Sequence, residues 1–586
     1  MRSTALLFIW VCMNENWYIY AKKADFAEIS KKFNISPMMA RILRNRDLIS
    51  DEEIQKFLYG GINEMYDPFL FKDMKKGCEI AASCIKKGQK IRIIGDYDAD
   101  GVMSSYILET AVSSLGGSVD VVLPDRIRDG YGINARMAEE AKAQEISLII
   151  TCDNGIAAVS AVKRAEELGI SVIITDHHEP AAELPPADAI IDAKQKDCTY
   201  PFREVCGAAV AFKFVQALLE YMNINRSDSR EILDYLLQFA GFATITDIVP
   251  LRDENRIFAR EGIRRLRKTD NPGLKALIKE KKLDPGLLSA YHVGFILGPC
   301  INSAGRLMNA EIALDLLRAE DQDRAAALAE KLSQLNENRK DLTTEQAAAS
   351  ERVLREFIEK NGELPKILIC YLPDAHESVA GIIAGRLKEE YGRPAFVLTN
   401  SNNGIKGSGR SVDAYNMIGE ISKFPELFSK LGGHEKACGF TLSCEPDAFI
   451  EAVMNGCTLT EQDLQKKVWI DMQLPFSYIS EDLINELSLL EPCGTDNARP
   501  LFAHKNVTAV RSRILGKASN VLSMQLRDAD GCIIDGIMFG SAENMAANKE
   551  LVDNEPAFML TYIPMINEYG GRRSLQIRVI SIKKQR

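Results

Sequence analysis

Between Lys90 and Ala193 five short apolar runs, Ile91–Ile94, Val119–Leu123, Leu148–Thr151, Val172–Thr175 and Ala189–Ile191, alternate with stretches of helical patterning. Each run has the length of a buried strand. Helical patterns over Val102–Ser114, Asn134–Gln144 and Ile156–Leu168 fill the gaps, so the spacing predicts a β-α-β-α series on a mostly parallel sheet. In such a sheet, ligands belong at the carboxyl ends of the strands.

The remainder of the chain is organised around this block. At 586 residues it is too long for one hydrophobic core. Residues Asn34–Lys87 are mostly helical and charged, and Ala208–Gly241 reads as two amphipathic helices. A long Ala- and Glu-rich helical pattern runs from Ala310 to Glu359, with Leu328, Leu335 and Leu342 spaced seven apart as a packing stripe. A second α/β segment follows, with strands Ile367–Tyr371 and Ala395–Leu398 around a helix Val379–Tyr391. Val468–Lys584 carries short alternating strands, among them Val521–Leu526, Ile533–Phe539 and Leu575–Ile580, broken by Gly and Asp; this is small-barrel patterning.

Composition excludes several classes. A hydrophobic fraction of 46% with 26% charged residues is that of folded globular chains. The formal charge is −10, so a polyanion must be met by a local basic surface. One exists: Ala498–Arg586 holds 13 Lys and Arg against 8 Asp and Glu, a net of +5. Thirteen cysteines without a Cys-x-x-Cys pair point to a reducing, cytoplasmic compartment rather than a disulfide framework. Arg2 precedes an apolar run Ala5–Met13 that is too short to span a bilayer and lacks a prompt cleavage site; translation starting at Met13 fits equally well.

Four clusters sit at strand ends or in the adjacent loop: Asp96-Tyr97-Asp98-Ala99-Asp100-Gly101, Asp153-Asn154-Gly155, Asp176-His177-His178 and Thr246-Asp247-Ile248. Carboxylates gathered on one rim repel each other by several kcal/mol per close pair, at roughly the effective dielectric of a protein, unless protonated or metal-bound. Metals are the simpler answer. Asp96 and Asp98 fall on one side of an extended turn, Asp153 arrives from a neighbouring strand where it can bridge two ions, and His177 adds an imidazole. An oxygen-rich site with His suits Mn²⁺ or Mg²⁺. Two such ions about 3.5–4 Å apart clamp a phosphoryl group and activate an attacking water. Taken singly, each piece has a blander reading, a helix cap or a surface accident.

Through Gly95–Gly101 and Asp176-His177-His178 the chain resembles the DHH phosphoesterase superfamily. Further matches narrow the resemblance to the branch of single-stranded-DNA-specific exonucleases. They are Leu123-Pro124-Asp125-Arg126 through Gly130-Tyr131-Gly132, Ile245–Leu251, Gly298–Arg306, His376-Glu377 with Gly381–Ala384, Gly407–Ser411, Gly432-Gly433-His434 and Leu490–Gly494.

The resemblance implies an α/β fold: a parallel-sheet DHH domain and an α/β DHH-associated domain (DHHA1) joined by a long helix, with a C-terminal OB-fold β-barrel. The implied divisions are an N-terminal helical segment 1–70, the DHH domain 71–260, a helical connector 261–360, the DHHA1 domain 361–462 and the OB-fold domain 463–586. It implies Asp96, Asp98, Asp153, His177 and Asp247 as metal ligands for two divalent cations, Asp176 as the residue orienting the histidine, and His178 as the group facing the scissile phosphate. Smaller superfamily members carry a further His where this chain has Arg92. Arg126, Arg306, Ser408 and Arg410 are candidate phosphate binders. His434 is a candidate donor to phosphate, and Tyr131 a candidate to stack on a base or to pack its turn. Arg511, Arg513, Lys517, Arg572 and Arg573 are candidates to track a nucleic-acid backbone. Cys300, Cys493, and Asp496 with Ala498 depart from the usual pattern, the last two breaking a usual Gly-Asn-Pro turn.

The expected activity is metal-dependent 5′→3′ exonucleolytic hydrolysis of single-stranded DNA to 5′-mononucleotides, in DNA repair and recombination. The geometry expected is a ring whose groove admits one strand and catches a 5′ end. Expected partners are single-stranded DNA with a 5′ end and a single-strand-binding protein or helicase, and no membrane. Two alternatives are a DHH phosphodiesterase acting on short oligonucleotides or cyclic dinucleotides, and a non-catalytic DNA-binding scaffold; the intact acidic set weighs against the second.

Overall fold

The computed structural model describes residues 15–402, 404–569 and 571–585. The apolar run Ala5–Met13 and the side chain of Arg572 lie outside the described residues. The chain forms two compact units: one of the residues up to Asp47 with Arg339–Leu489 and Arg499–Arg586, the other of Leu48–Asn338 with Leu490–Ala498.

In chain order, a strand β1 (Glu15–Ile19) opens the described chain, where the sequence predicted only helix; it pairs in parallel with a later strand over Lys466–Ile470. Helices follow at Phe26–Phe33, Pro37–Asn45 and Asp51–Tyr59, the last closed by a capping box between Ser50 and Glu53.

The predicted parallel sheet is present. Strands β2 (Lys90–Ile94), β3 (Ser118–Val122), β4 (Leu148–Cys152), β5 (Ser171–Thr175) and β6 (Ala189–Ile191) align in the order β3-β2-β4-β5-β6, all parallel. From β2 the chain moves outward to β3, then crosses to β4 on the other side. The switch point therefore lies at the carboxyl ends of β2 and β4, where such sheets open a crevice. Arg92 spans β2 and β3: its buried guanidinium pairs with Asp120 and bonds Gln144. It is a structural tie, turned away from the site.

The helix Gly207–Tyr221 was expected to be amphipathic. Twelve of its fifteen residues are buried, among them Val210, Phe212 and Phe214, so it is a core helix that is apolar all round. It packs on the helices Ala99–Ser114 and Arg226–Thr246. Its one deeply buried cation, Lys213, pairs with Glu254, which also accepts from Tyr200.

The helix Gln322–Asn361 is forty residues long. Leu335 is buried, and Leu328 packs against the same hydrophobic cluster. After it, β7 (Leu368–Tyr371), β8 (Ala395–Ser401), β9 (Gly404–Arg410), β10 (Phe428–His434) and β11 (Ala437–Leu442) form a sheet in the order β10-β11-β9-β8-β7. Only β7 and β8 run parallel. The C-terminal barrel follows β12 (Lys466–Ile470) and β13 (Met472–Gln473). It is built from β14 (Phe502–Leu515), β15 (Val521–Arg527), β16 (Ile533–Phe539), β17 (Phe558–Tyr569) and β18 (Arg572–Lys584). Pairing of β14 with β17 closes the strands into a ring, in which β16 meets β18 over only Asp535–Ile537.

Among the described residues no helix is long and apolar enough to cross a membrane. No two of the described cysteines are bonded, and most are buried.

Candidate metal centre

The motif after β2 is shaped by its close backbone approach. Asp98 caps the helix Ala99–Ser114, its Oδ1 accepting from the N–H groups of Asp100 at 3.0 Å and Gly101 at 3.2 Å. A Cβ at position 101 would lie 2.5 Å from the Asp96 backbone nitrogen, so the residue after the third aspartate must be glycine. The Asp96 carboxylate is buried and accepts from the Gly132 N–H at 3.4 Å.

Asp153 follows β4 in the left-handed region, at φ 61°. Asn154 fastens the neighbouring loop, donating to the carbonyls of Ile94 and Cys152 and accepting from the Ile133 N–H. The Tyr131 hydroxyl donates to the Asp153 carbonyl and lies 3.0 Å from His178 Nδ1. Tyr131, read as a stacking residue, thus has its polar end engaged at the rim while about half of its surface stays exposed.

After β5, the Asp176 carboxylate is fully buried. It accepts from the backbone N–H groups of His177, His178 and Ile156 and lies 2.8 Å from His178 Nδ1. Its ring contact is with His178. The imidazole of His177, which the resemblance assigned to Asp176, is instead 3.0 Å from Asp153 Oδ1. This is a correction: alternating residues on the loop point His178 back at Asp176 and send His177 inward.

The ligand atoms converge. Asp96, Asp98 and Asp153 offer oxygens that all lie within 4.8 Å of one another; so do the donors of Asp100, His177 and Asp247, and those of Asp153, His177 and His178. Asp153 and His177 each belong to two of these groups. Every ligand inferred from the sequence is in the cluster, and Asp100 joins it. Sequence reasoning passed over Asp100, although it continues the i, i+2 spacing of Asp96 and Asp98. Its two oxygens each lie 2.7 Å from a backbone N–H at the start of the helix Gly207–Tyr221, that of Gly207 or of Ala208.

Electrostatics fit a bound cation. Burial, then the Asp98 charge, pushes the Asp96 carboxyl well above the usual range. Burial and the carboxylates of Asp100, Asp98, Asp247 and Asp96 do the same to Asp153, and burial with Asp100 and Asp98 to Asp247. Asp100 rises to about 6, through burial and Asp98. Burial, then the charge of His178, lowers His177 to about 3, leaving a neutral imidazole whose lone pair can coordinate. Hard oxygens plus neutral imidazole are the donors that Mn²⁺ and Mg²⁺ take.

Arg126 lies over the Tyr97 ring at 5.0 Å, and the Tyr97 phenol senses the charge of both Arg126 and Arg306. Arg126 therefore stands against the residue between Asp96 and Asp98. In the other unit, the register of β10, β11 and β9 sets His434 opposite Ala437 and Ala437 opposite Arg410. Ser408, two residues from Arg410 along β9, lies 3.3 Å from its guanidinium. A Cβ on Gly381 would sit 2.8 Å from the Arg410 guanidinium, so glycine there makes room for it. In the barrel, Arg511 and Arg513 are exposed on β14 with Lys517 on the turn beyond, whereas Arg573 is drawn to Glu568 and Glu481.

Comparison with known proteins gives a consistent picture. Family models described as the DHH family N-terminal domain, the DHHA1 domain and the RecJ OB domain match residues 90–238, 364–455 and 470–581. The single-stranded-DNA-specific exonuclease RecJ of Bacillus subtilis is 36% identical over 569 residues, spanning 96% of this chain and 70% of that protein. The RecJ of Escherichia coli is 33% identical, spanning 94% and 96%. The crystal structure of RecJ from Thermus thermophilus in complex with Mn²⁺ shares the fold, with a TM-score of 0.82 over 98% of this chain and 80% of that one, at 24% identity. A crystal structure of exonuclease RecJ bound to manganese is 30% identical, with a TM-score of 0.56 over 67% of this chain and 96% of that one.

Proposed function

This chain belongs to the RecJ family of single-stranded-DNA-specific exonucleases, and from that premise we propose how its own residues divide the work. It is a DHH-type hydrolase of single-stranded DNA, and it uses divalent metal. Two ions, Mn²⁺ or Mg²⁺, are held by Asp96, Asp98, Asp153, His177 and Asp247, with Asp100 supporting the set. The observation that carries this is the convergence of three donor groups, each within 4.8 Å, that share Asp153 and His177. When bound, such ions polarise the phosphoryl oxygens and lower the pKa of a water in the site.

The protein residues orient and neutralise. His178, braced by Asp176 at 2.8 Å, presents its ring to a non-bridging phosphate oxygen. Against the pull of burial, the bond to Asp176 and its charge raise the His178 imidazole above the usual histidine range, which favours a ring that donates to the phosphate. Arg126 and Arg306 pair with phosphates next to the scissile one and favour a 5′ terminus. Ser408, Arg410 and His434 hold the strand through its phosphates, and Arg511, Arg513 and Lys517 track its backbone by salt-sensitive contacts. Hydrolysis runs 5′→3′ and releases 5′-mononucleotides, within DNA repair and recombination. A helicase or a single-strand-binding protein is the class of partner that supplies such strands.

The test is digestion of 5′-labelled, 3′-labelled and duplex DNA with Mn²⁺ and with EDTA. Early release of the 5′ label from single strands in Mn²⁺ alone is expected. Early release of the 3′ label would overturn the polarity, and hydrolysis confined to dinucleotides would move the reading to a small-substrate phosphodiesterase.

A further inference from the structure

Asp247 ends the helix Arg226–Thr246, and the residue after it is in an unfavourable conformation. Ile248 has φ 62°, a left-handed backbone that a β-branched side chain rarely adopts, and it is 72% exposed. Helices often end on a left-handed residue just past the cap, usually Gly or Asn, and the Ile248 N–H still bonds the Ile245 carbonyl; a β-branched residue there is costly, so contacts of the chain beyond it are needed to hold the turn.

That chain is pinned by a nine-residue strap, Leu490–Ala498. The strap lies in the same compact unit as the metal cluster, although the residues on either side of it belong to the other unit. The Leu251 N–H donates to the Thr495 carbonyl at 2.8 Å, and its buried side chain lies so close to Gly494 that a Cβ there would come within 2.6 Å of Leu251 Cδ1. Arg252 approaches Asp496 at 3.6 Å.

The strap is itself held in shape. Buried Arg256 donates to the carbonyls of Leu490 and Glu491, each at 2.9 Å, and of Pro492 at 3.3 Å. Asn497 Nδ2 donates to the carbonyls of Leu490 at 2.8 Å and Pro492 at 2.9 Å, and Gly494 and Asn497 exchange backbone bonds. Asp496 takes φ 56°, so the turn is formed although Asp496 and Ala498 depart from the usual Gly-Asn-Pro residues.

We propose that the strap Leu490–Ala498 is a positioning element for the metal ligand Asp247: by anchoring Leu251 it fixes the left-handed turn at Ile248 and keeps the Asp247 carboxylate in the donor cluster. The inference rests on the proposed metal site. No strap residue is a metal ligand; its effect reaches the metal through the four residues that follow Asp247.

Full-length protein is titrated with Mn²⁺ alone, without DNA, and free Mn²⁺ is read by electron paramagnetic resonance well below the melting temperature. Two variants disturb the strap differently: Gly494→Ala crowds Leu251, and Asn497→Ala removes the two side-chain bonds. Ser541→Ala, which deletes a helix cap far along the chain, is the control for general destabilisation. Supporting residues around metal ligands shift affinity by about ten-fold or more, so both strap variants are expected to bind Mn²⁺ about ten-fold more weakly, with Ser541→Ala at wild-type affinity. Folded strap variants with wild-type affinity, or an equal loss in Ser541→Ala, would overturn the proposal; should Asn497→Ala not fold, Gly494→Ala decides. Wild-type protein that binds no Mn²⁺ would instead sink the metal site itself.

Discussion

A Cβ on Gly207 would lie 2.6 Å from the Cβ of Asp153, so the first residue of one buried helix and the aspartate at the carboxyl end of β4 are in direct contact. The contact sets how far Asp153 reaches into the cluster. Gly207→Ala is therefore expected to lower hydrolysis by about 10²-fold, the cost of a displacement near 1 Å at a reacting centre, and to destabilise the fold by about 1–3 kcal/mol. Steady-state rates beside urea melts check both. Full activity in a folded variant would remove Asp153 from its assigned place.

Asp153→Asn separates the metal from the fold. Burial and four neighbouring carboxylates raise the Asp153 pKa in the folded state, so its ionisation at neutral pH opposes folding. In EDTA the variant should be more stable than wild type at neutral pH. With metal at 100 times its Kd, wild type gains about 2.7 kcal/mol and the variant little. Hydrolysis is lost, while single-strand binding in EDTA stays within a few-fold. Turnover retained by the variant would remove the metal assignment.

Tyr131 has two proposed uses that one substitution separates. Tyr131→Phe keeps the ring for stacking but deletes the hydroxyl that joins the Asp153 carbonyl and His178. If the hydroxyl positions His178, kcat falls about ten-fold with strand affinity unchanged. An unaltered kcat, with loss only in Tyr131→Ala, would return the residue to stacking.

The parallel sheet was legible because strand-length apolar runs and helical periods are local signals. The acidic and histidine cluster was legible because most of its donors follow β2, β4 and β5, where the topology must gather them, whereas Asp247 ends a helix. What the sequence hid was long-range. Nothing local announces that Glu15–Ile19 pairs with Lys466–Ile470, or that Leu490–Ala498 packs on Leu251. The helix Gly207–Tyr221 looked amphipathic because Lys213 and Glu220 supply polar letters, yet Lys213 is buried against Glu254. Asp100 stood in the first acidic cluster but outside the inferred ligand set, because nothing local shows that its carboxylate accepts from the N–H groups of Gly207 and Ala208 and ties that helix to the site.

Arg306 should read the strand end. Arg306→Ala is expected to lose about 1.5–3 kcal/mol, the worth of a charge-assisted bond, on 5′-phosphorylated DNA and far less on 5′-hydroxyl DNA, seen mainly in KM. Equal loss on both ends would reject the role.

Asp192, just past β6, gives a pH signature independent of metal. One of its oxygens accepts from the Lys194 N–H at 2.7 Å, and the other is buried with no hydrogen-bond partner. Burial, then the negative charge of Asp176, pushes its carboxyl up to about 8. The folded state thus holds a proton that the unfolded chain releases near pH 4, at roughly the model-peptide value. Between those two pH values folding stability falls as pH rises, because the unfolded state binds fewer protons; above the folded value the penalty is constant. Asp192→Asn abolishes the penalty. In EDTA the variant should match wild type below about pH 4 and exceed it by roughly 5 kcal/mol at pH 8, read from urea melts at each pH. A stability difference that does not change with pH would mean that Asp192 ionises freely in the folded protein, and that its buried oxygen finds a partner.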